Sequence, residues 1–172
     1  QQQRVGIARA IICDPDLVLL DEPTASLDVS VRGRILELLL DLQERLGITY
    51  LLISHDLGTV HFVCYHTAVM YLGFIVEIGV TRDLFKHPQH PYTEALMSAV
   101  PVPDPNYRAS RIQLHGEVGN PADPPPGCAF HPRCPYVQGI CSKEMPLYLD
   151  MGGGHFVSCH FAKSLNLRPV YE

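Results

Sequence analysis

Two acidic residues at the end of a short apolar run have the chemistry of a phosphate-hydrolysing site. The run covers residues 17–20, and Asp21, Glu22 and Pro23 follow it directly. Open α/β sheets bind ligands beyond the carboxyl ends of their parallel strands. In a nucleotide hydrolase, an aspartate at this point holds Mg²⁺ and the next glutamate polarises the attacking water. A solvated turn would give the same local pattern, so the acidic pair alone does not decide between these two interpretations.

The flanking segments predict a parallel α/β sheet that would position this pair. Residues 17–20 predict a strand that is buried on both faces, and residues 48–53 predict a second one, which ends at Ser54, His55 and Asp56. Between them, Asp28 or Ser30 can cap a helix that Gly47 ends. Strand, helix and strand in this order imply a right-handed crossover. The predicted apolar face of the helix consists of Val31, Ile35, Leu38, Leu42 and Leu46.

Three motifs, which occur in the expected order, resemble those of the ABC-type ATPases. Residues 19–28 read LLDEPTASLD, which resembles the Walker B and D-loop block of that family. His55, after the second predicted strand, matches the family's switch histidine. Residues 1–10 resemble the tail of the signature motif, with Gln1 where the final Gln of LSGGQ would stand. The resemblance implies an α/β fold that is the C-terminal part of a P-loop NTPase (ABC-type) parallel-sheet domain, followed by an irregular Pro- and Cys-rich extension.

The resemblance also implies a role for each matching residue in the hydrolysis of ATP. Asp21 would be the Mg²⁺ carboxylate, and Glu22 would be the general base for in-line attack of water on the γ-phosphate. His55 would donate a hydrogen bond to the γ-phosphate and help to hold Glu22 and the water.

Four further positions correspond to residues that face the partner's nucleotide in this family. Ser26, Leu27 and Asp28 would form the D-loop, which crosses the interface of an ATPase pair. Gln1 would lie beside a helix N-terminus whose dipole faces the partner's γ-phosphate.

The phosphate-binding loop of the family does not occur among the 172 residues. Neither GxxxxGK[ST] nor the glycines of LSGG can be found. We therefore expect the chain to be a C-terminal fragment that begins at the end of the signature motif and is inactive by itself.

Two motifs in the second half of the chain resemble the C-terminal extension of the ATPases of oligopeptide and dipeptide importers, with nickel importers as a close branch. They are HPYT at residues 90–93 and HPRCP at residues 131–135. The resemblance implies an ATP-binding subunit on the cytoplasmic face of the cell membrane. It would be docked on two transmembrane permease subunits and paired with a second, homologous or identical ATPase subunit. The predicted organisation is an ATPase portion over 1–78, a helical linker over 79–100 and the cysteine-rich extension over 101–172.

The extension contains nine of the chain's 15 prolines between residues 101 and 135, and four of its six cysteines. Cys128, Cys134, Cys141 and Cys159 have none of the C-x₂₋₄-C spacings that are usual for structural zinc. Four thiolates can also hold an iron–sulfur cluster. The spacing does not decide between Zn²⁺, an iron–sulfur cluster, and disulfides or free thiols. The resemblance favours a [4Fe-4S] cluster, since some members of the branch carry one there.

Composition excludes two classes of function. Lys and Arg number 13 against 18 Asp and Glu, a net charge of −5, so there is no basic surface of the kind that binds nucleic acid. No apolar stretch approaches the roughly 18 residues that a membrane span requires, so we expect membrane contact through permease docking only.

Two alternatives to peptide import remain. The protein could be the ATPase of an importer for nickel or another small solute, or it could be a metal-binding or docking module without catalysis of its own.

Overall fold

A two-stranded parallel sheet and a four-stranded antiparallel sheet organise the chain. The computed structural model describes residues 1–100 and 111–168, and the chain divides into two compact units, residues 1–64 and the residues from 65 onward. Pro101, Pro103 and Pro105 of the proline-rich segment lie outside the described residues. The domain boundaries near 78 and 100 stay a prediction.

The first unit alternates helices and strands, as the sequence predicts. Its elements are α1 (Gln2–Ile11), β1 (Leu17–Asp21), α2 (Val29–Leu46), β2 (Thr49–Ile53) and α3 (Leu57–Val63). β1 and β2 pair in parallel, with Leu17 opposite Thr49 and Asp21 opposite Ile53. This register brings the carboxyl ends of both strands to the same edge of the sheet.

The hydrophobic core of the first unit lies on one face of this sheet. It is formed by Ile7, Val18, Leu20, Ile35, Leu36, Leu39 and Ile48. Side chains alternate between the faces of a strand, so Leu17 and Leu19 point to the opposite face and are 57% and 60% exposed. The prediction that these strands are buried on both faces is therefore wrong for the described residues, because α1 and α2 cover one face only.

The buried face of α2 differs from the predicted one by part of a turn. Ile35, Leu36 and Leu39 are its buried residues, whereas Val31 and Leu46 are exposed. Steps of three and four residues define a stripe, but they do not fix which side of the stripe meets the core. The predicted end of the helix is confirmed, since Gly47 has a left-handed φ of 66° and donates its N–H to Gln43 O.

The second unit joins a hairpin to the cysteine-rich segment. Its elements are β3 (His66–Tyr71), β4 (Phe74–Val80), α4 (Thr81–Lys86), α5 (Pro91–Met97), a single 3₁₀ turn at His131–Arg133, β5 (Tyr148–Asp150) and β6 (Phe156–Ser158). The strand order is β3-β4-β6-β5, and Glu77 of β4 lies opposite Val157 of β6. The extension is irregular over most of its described length, and in its last third two three-residue strands, β5 and β6, extend the sheet. Within the described part of the chain, no helix is long and apolar enough to cross a membrane.

Candidate active site

The backbone of Glu22 is held in an unusual conformation at the end of β1. Its φ is +46°, in the left-handed region that non-glycine residues rarely adopt. Its N–H donates to the carbonyl of Ile53 at 2.9 Å, so the turn after β1 is fixed to the end of β2. Strained backbone of this kind persists only where its surroundings hold it, and it concentrates at functional sites.

The side chains of Glu22 and His55 meet at this edge of the sheet. Glu22 Oε1 lies 2.6 Å from His55 Nδ1 and accepts the backbone N–H of His55 at 3.0 Å. An ionised carboxylate only accepts hydrogen bonds, so the proton of this contact is on Nδ1. Nε2 of His55 has no partner among the described residues, and the ring is 80% exposed. The ring can therefore meet a ligand through Nε2 while Nδ1 stays bound to Glu22.

Electrostatics keep Glu22 ionised. The side-chain hydrogen bond from His55 lowers the pKa of the Glu22 carboxyl below its usual value, and the backbone hydrogen bond from His55 adds to this. Partial desolvation and the negative charge of Asp56 oppose the shift without reversing it. At neutral pH, Glu22 is therefore a carboxylate that can accept a proton or orient a water molecule.

Asp21 is the exposed last residue of β1, beside Glu22 in the chain. A carboxylate oxygen is the donor class that Mg²⁺ prefers, and one or two protein carboxylates with phosphate oxygens and waters are its usual ligands. The position and chemistry of Asp21 thus fit the predicted Mg²⁺ ligand, although its role stays a prediction.

The other predicted site residues lie on the segments around this pair. Ser26 is exposed in the turn after Glu22, Leu27 packs partly against the core, and Asp28 is the N-cap residue of α2 without a side-chain cap bond. Gln1 is the exposed N-cap residue of α1. No hydrogen bond within residues 1–64 links the side chains of Gln1, Ser26 or Asp28 to Glu22 or His55, and their D-loop and signature roles remain predictions.

Sequence reasoning missed a pair of charged residues behind His55. The Asp56 carboxylate accepts the N–H of Gly58 at 3.1 Å and the hydroxyl of Thr59 at 3.0 Å, and Arg32 Nη1 of α2 lies 2.5 Å from it. An aspartate just before an apolar helical segment is a recognisable N-cap signal, so its contacts with Gly58 and Thr59 could have been predicted. The contact with Arg32, 24 residues away, has no local signal.

The HPYT motif, by contrast, has a structural role in the second unit. His90 is the N-cap residue of α5, and its Nδ1 accepts the N–H of Tyr92 at 3.1 Å. Burial lowers the pKa of His90 to about 3, so the ring is neutral. The backbone N–H of His90 and that of Gln89 donate to the fully buried carboxylate of Glu77, at 3.0 and 2.7 Å. His155 Nε2 lies 2.7 Å from the same carboxylate.

The four cysteines of the extension line one cavity of about 20 Å³ together with His90, His131 and His160. Burial raises the pKa of the Cys128 and Cys159 thiols above the usual value. It raises the pKa of Cys134 to about 12. These three thiols are therefore protonated at neutral pH. All four are free cysteines. Of the two remaining cysteines, Cys13 is exposed and Cys64 is half-buried.

The predicted metal centre at these cysteines is not supported. Across residues 1–100 and 111–168, no group of three or more His, Cys, Asp or Glu side chains is arranged to hold a metal ion. A cavity of about 20 Å³ has room for roughly one water molecule. A [4Fe-4S] cluster is too large for such a cavity, and no group of side chains in the described residues is arranged to hold Zn²⁺.

Two protein families match separate parts of the chain. The description "ABC transporter" covers residues 1–25, and "Oligopeptide/dipeptide transporter, C-terminal region" covers residues 76–141. The first match contains Asp21 and Glu22, and the second contains the HPYT motif and three of the four cysteines.

Curated relatives align with almost the whole chain. A putative peptide import ATP-binding protein of Brucella ovis is 48% identical over 92% of the chain and 50% of its own length. The dipeptide transport ATP-binding protein of Escherichia coli is 48% identical over 92% of the chain and 47% of its own length. A probable peptide ABC transporter ATP-binding protein of Sinorhizobium fredii is 51% identical over 93% of the chain and 45% of its own length. The chain thus spans about half the length of the curated relatives it matches.

Proposed function

Because this chain belongs to the ATP-binding proteins of ABC transporters that carry the oligopeptide/dipeptide C-terminal region, we propose that its protein hydrolyses ATP to drive peptide import. The observation that carries the proposal is the contact between Glu22 and His55 at the carboxyl edge of β1 and β2. Two residues 33 positions apart are joined there through both the backbone and the ring of His55.

Glu22 acts as the general base in this proposal. Its lowered pKa keeps it ionised, so that it can orient a water molecule and accept its proton during attack on the γ-phosphate. His55 holds the Glu22 carboxylate through Nδ1 and the backbone N–H. Nε2 of His55, exposed and without a partner among the described residues, is free to bind a phosphate oxygen.

Asp21 is assigned to the Mg²⁺ that accompanies ATP, either directly or through water. When bound, Mg²⁺ neutralises negative charge on the phosphates. Ser26, Leu27, Asp28 and Gln1 are assigned to the interface with a second ATPase subunit.

Peptides are the proposed cargo, since the relatives in Brucella ovis and Escherichia coli are named for the import of peptides and the transport of dipeptides. We propose two transmembrane permease subunits as the docking partners, on the cytoplasmic face of the membrane. No GxxxxGK[ST] sequence occurs in the 172 residues, so we propose that they do not hydrolyse ATP by themselves.

The experiment is an ATPase assay on the full-length protein with Glu22→Gln, His55→Ala and a matched control, Glu37→Gln. Glu37 is exposed on α2 and makes no described contact with the site. Loss of a general base lowers turnover by about 100-fold or more, so Glu22→Gln should lose almost all activity while Glu37→Gln keeps it. Normal turnover of Glu22→Gln would show that Glu22 is not the base.

A further inference from the structure

Asp56, the residue after His55, is held by contacts from three directions. Its carboxylate bonds to Gly58 and Thr59 in the first turn of α3, and to Arg32 on α2. Its backbone N–H donates to Ser54 Oγ at 3.1 Å. Through Asp56, the connection that carries His55 (residues 54–56) is therefore tied to α2 and to α3.

The position of Arg32 is explained by Asp56. Arg32 lies four residues from the N-cap of α2, where the helix dipole disfavours a positive charge. Its Nε is buried and has no acceptor among the described residues. Within the part of the chain that the structure describes, the contact with the Asp56 carboxylate is thus the polar interaction that orients this guanidinium.

His55 itself has little packing to hold it. Its ring is 80% exposed. Among the described residues, its side chain and its backbone N–H form hydrogen bonds with Glu22 only. A side chain so exposed is held mainly through its backbone. The backbone of His55 is in turn fixed by Ser54 and Asp56 on either side.

We propose that the Arg32–Asp56 ion pair positions His55 against Glu22 during ATP hydrolysis. Arg32 and Asp56 are positioning residues that act through His55 and do not contact the reacting atoms. This inference rests on the proposed function, which assigns Glu22 and His55 to the reaction.

The expected effect is moderate. Both side chains of the pair are 32% exposed, so solvent and salt screen the interaction. The cap bonds from Gly58 and Thr59 also remain when Arg32 is removed. We therefore expect kcat to fall about five- to tenfold, with KM for ATP almost unchanged, since neither residue is placed on the nucleotide.

Three variants separate loss of the Arg32–Asp56 ion pair from loss of side-chain packing, loss of the α3 cap and loss of a positive charge elsewhere on α2. Arg32→Met removes the charge and keeps most of the aliphatic stem. Asp56→Asn keeps the oxygen that caps α3, because asparagine is as good an N-cap as aspartate, but it turns a donor toward Arg32. Arg45→Met is the matched control, because Arg45 forms an ion pair with Asp41 on the same helix away from His55.

The first readout is a double-mutant cycle for kcat in the full-length protein. A residue that acts through His55 loses its effect once His55 is absent, whereas a residue that only stabilises the fold does not. Arg32→Met should therefore lower kcat about five- to tenfold in wild type and less than twofold in the His55→Gln background. Arg32→Lys, which restores a cation, should recover part of the lost activity. Equal effects of Arg32→Met in both backgrounds would overturn the proposal.

The second readout needs no nucleotide. The His55 N–H donates to Glu22, so its hydrogen exchange reports this contact directly. Arg32→Met should accelerate exchange at His55 several-fold and leave Cys64, at the end of α3, unchanged. Equal acceleration at Cys64 would mean that α3 itself had loosened, and no acceleration at His55 would mean that the pair does not hold it. Either result would contradict the inference.

Failure of this inference can be distinguished from failure of the proposed function. If Glu22→Gln abolishes hydrolysis but Arg32→Met behaves like Arg45→Met, only the positioning role is wrong. If Glu22→Gln has normal turnover, the proposed function is wrong, whatever Arg32→Met does.

Discussion

Replacing Glu77 by alanine should destabilise the second unit more than any exposed acidic substitution. Glu77 is 0% exposed, and its carboxylate accepts the N–H groups of Gln89 and His90 as well as a hydrogen bond from His155. Alanine leaves the two backbone N–H groups without an acceptor. The ring of His155 lies nearer the surface, with 14% of its side chain exposed, and can rehydrate.

The magnitude follows from the two backbone groups. A buried N–H that loses its acceptor costs about 1–3 kcal/mol, so Glu77→Ala, which leaves two such groups, should cost about 2–6 kcal/mol. For a chain of this length, 1 kcal/mol shifts the melting temperature by roughly 2–4 °C. We therefore expect the melting temperature to fall by about 10 °C. Glu77→Gln keeps one acceptor oxygen and should lose about half as much.

Calorimetric melting of the full chain and hydrogen exchange at Gln89 and His90 measure this effect. Glu117→Ala, which changes an exposed acid, is the matched control and should melt within 2 °C of wild type. If Glu77→Ala also melted within about 2 °C of wild type, with unchanged exchange at Gln89 and His90, the buried carboxylate would not hold the turn before α5.

Three further predictions concern other parts of the chain. Gly127→Ala should lower the free energy of unfolding by at least about 2 kcal/mol, because φ is +72° and a Cβ would lie 2.4 Å from Cys141 O. Gly139→Ala is the control, since a Cβ there would meet no atom within 4 Å. Cys134, with a pKa raised to about 12, should react with iodoacetamide at pH 8 at least about 100-fold more slowly than exposed Cys13; equal rates would contradict the burial of Cys134. The carboxyl of Glu22 should titrate below 4.5 by NMR, and His55→Ala should move it upward. Since its folded pKa is depressed, the Glu22–His55 contact contributes stability above about pH 4.5 and loses it as the pH falls further; an unshifted Glu22 would argue against the contact.

The local elements around the candidate site could be predicted because their signals lie within a few residues. Apolar runs predicted β1 and β2, and Gly47 predicted the end of α2. The carboxyl edge that joins Glu22 to His55 followed from the parallel order of these elements.

Interactions between distant residues could not be predicted in this way. The Arg32–Asp56 pair and the Glu77–His155 contact join positions 24 and 78 residues apart, and no spacing rule links them. The short strands β5 and β6 were missed for the same reason, since three residues carry little pattern and β6 is defined by its pairing with β4. The exposed face of β1 escaped prediction because an apolar run does not reveal whether both faces are covered.

The fate of ATP bound to the full-length protein with Glu22→Gln shows whether Glu22 is the general base. We expect this variant to bind ATP and Mg²⁺ with nearly wild-type affinity but to hydrolyse the ATP at least about 100-fold more slowly in a single turnover. Glu37→Gln should hydrolyse it at the wild-type rate. Wild-type single-turnover hydrolysis by Glu22→Gln would contradict the assignment of Glu22 as the general base.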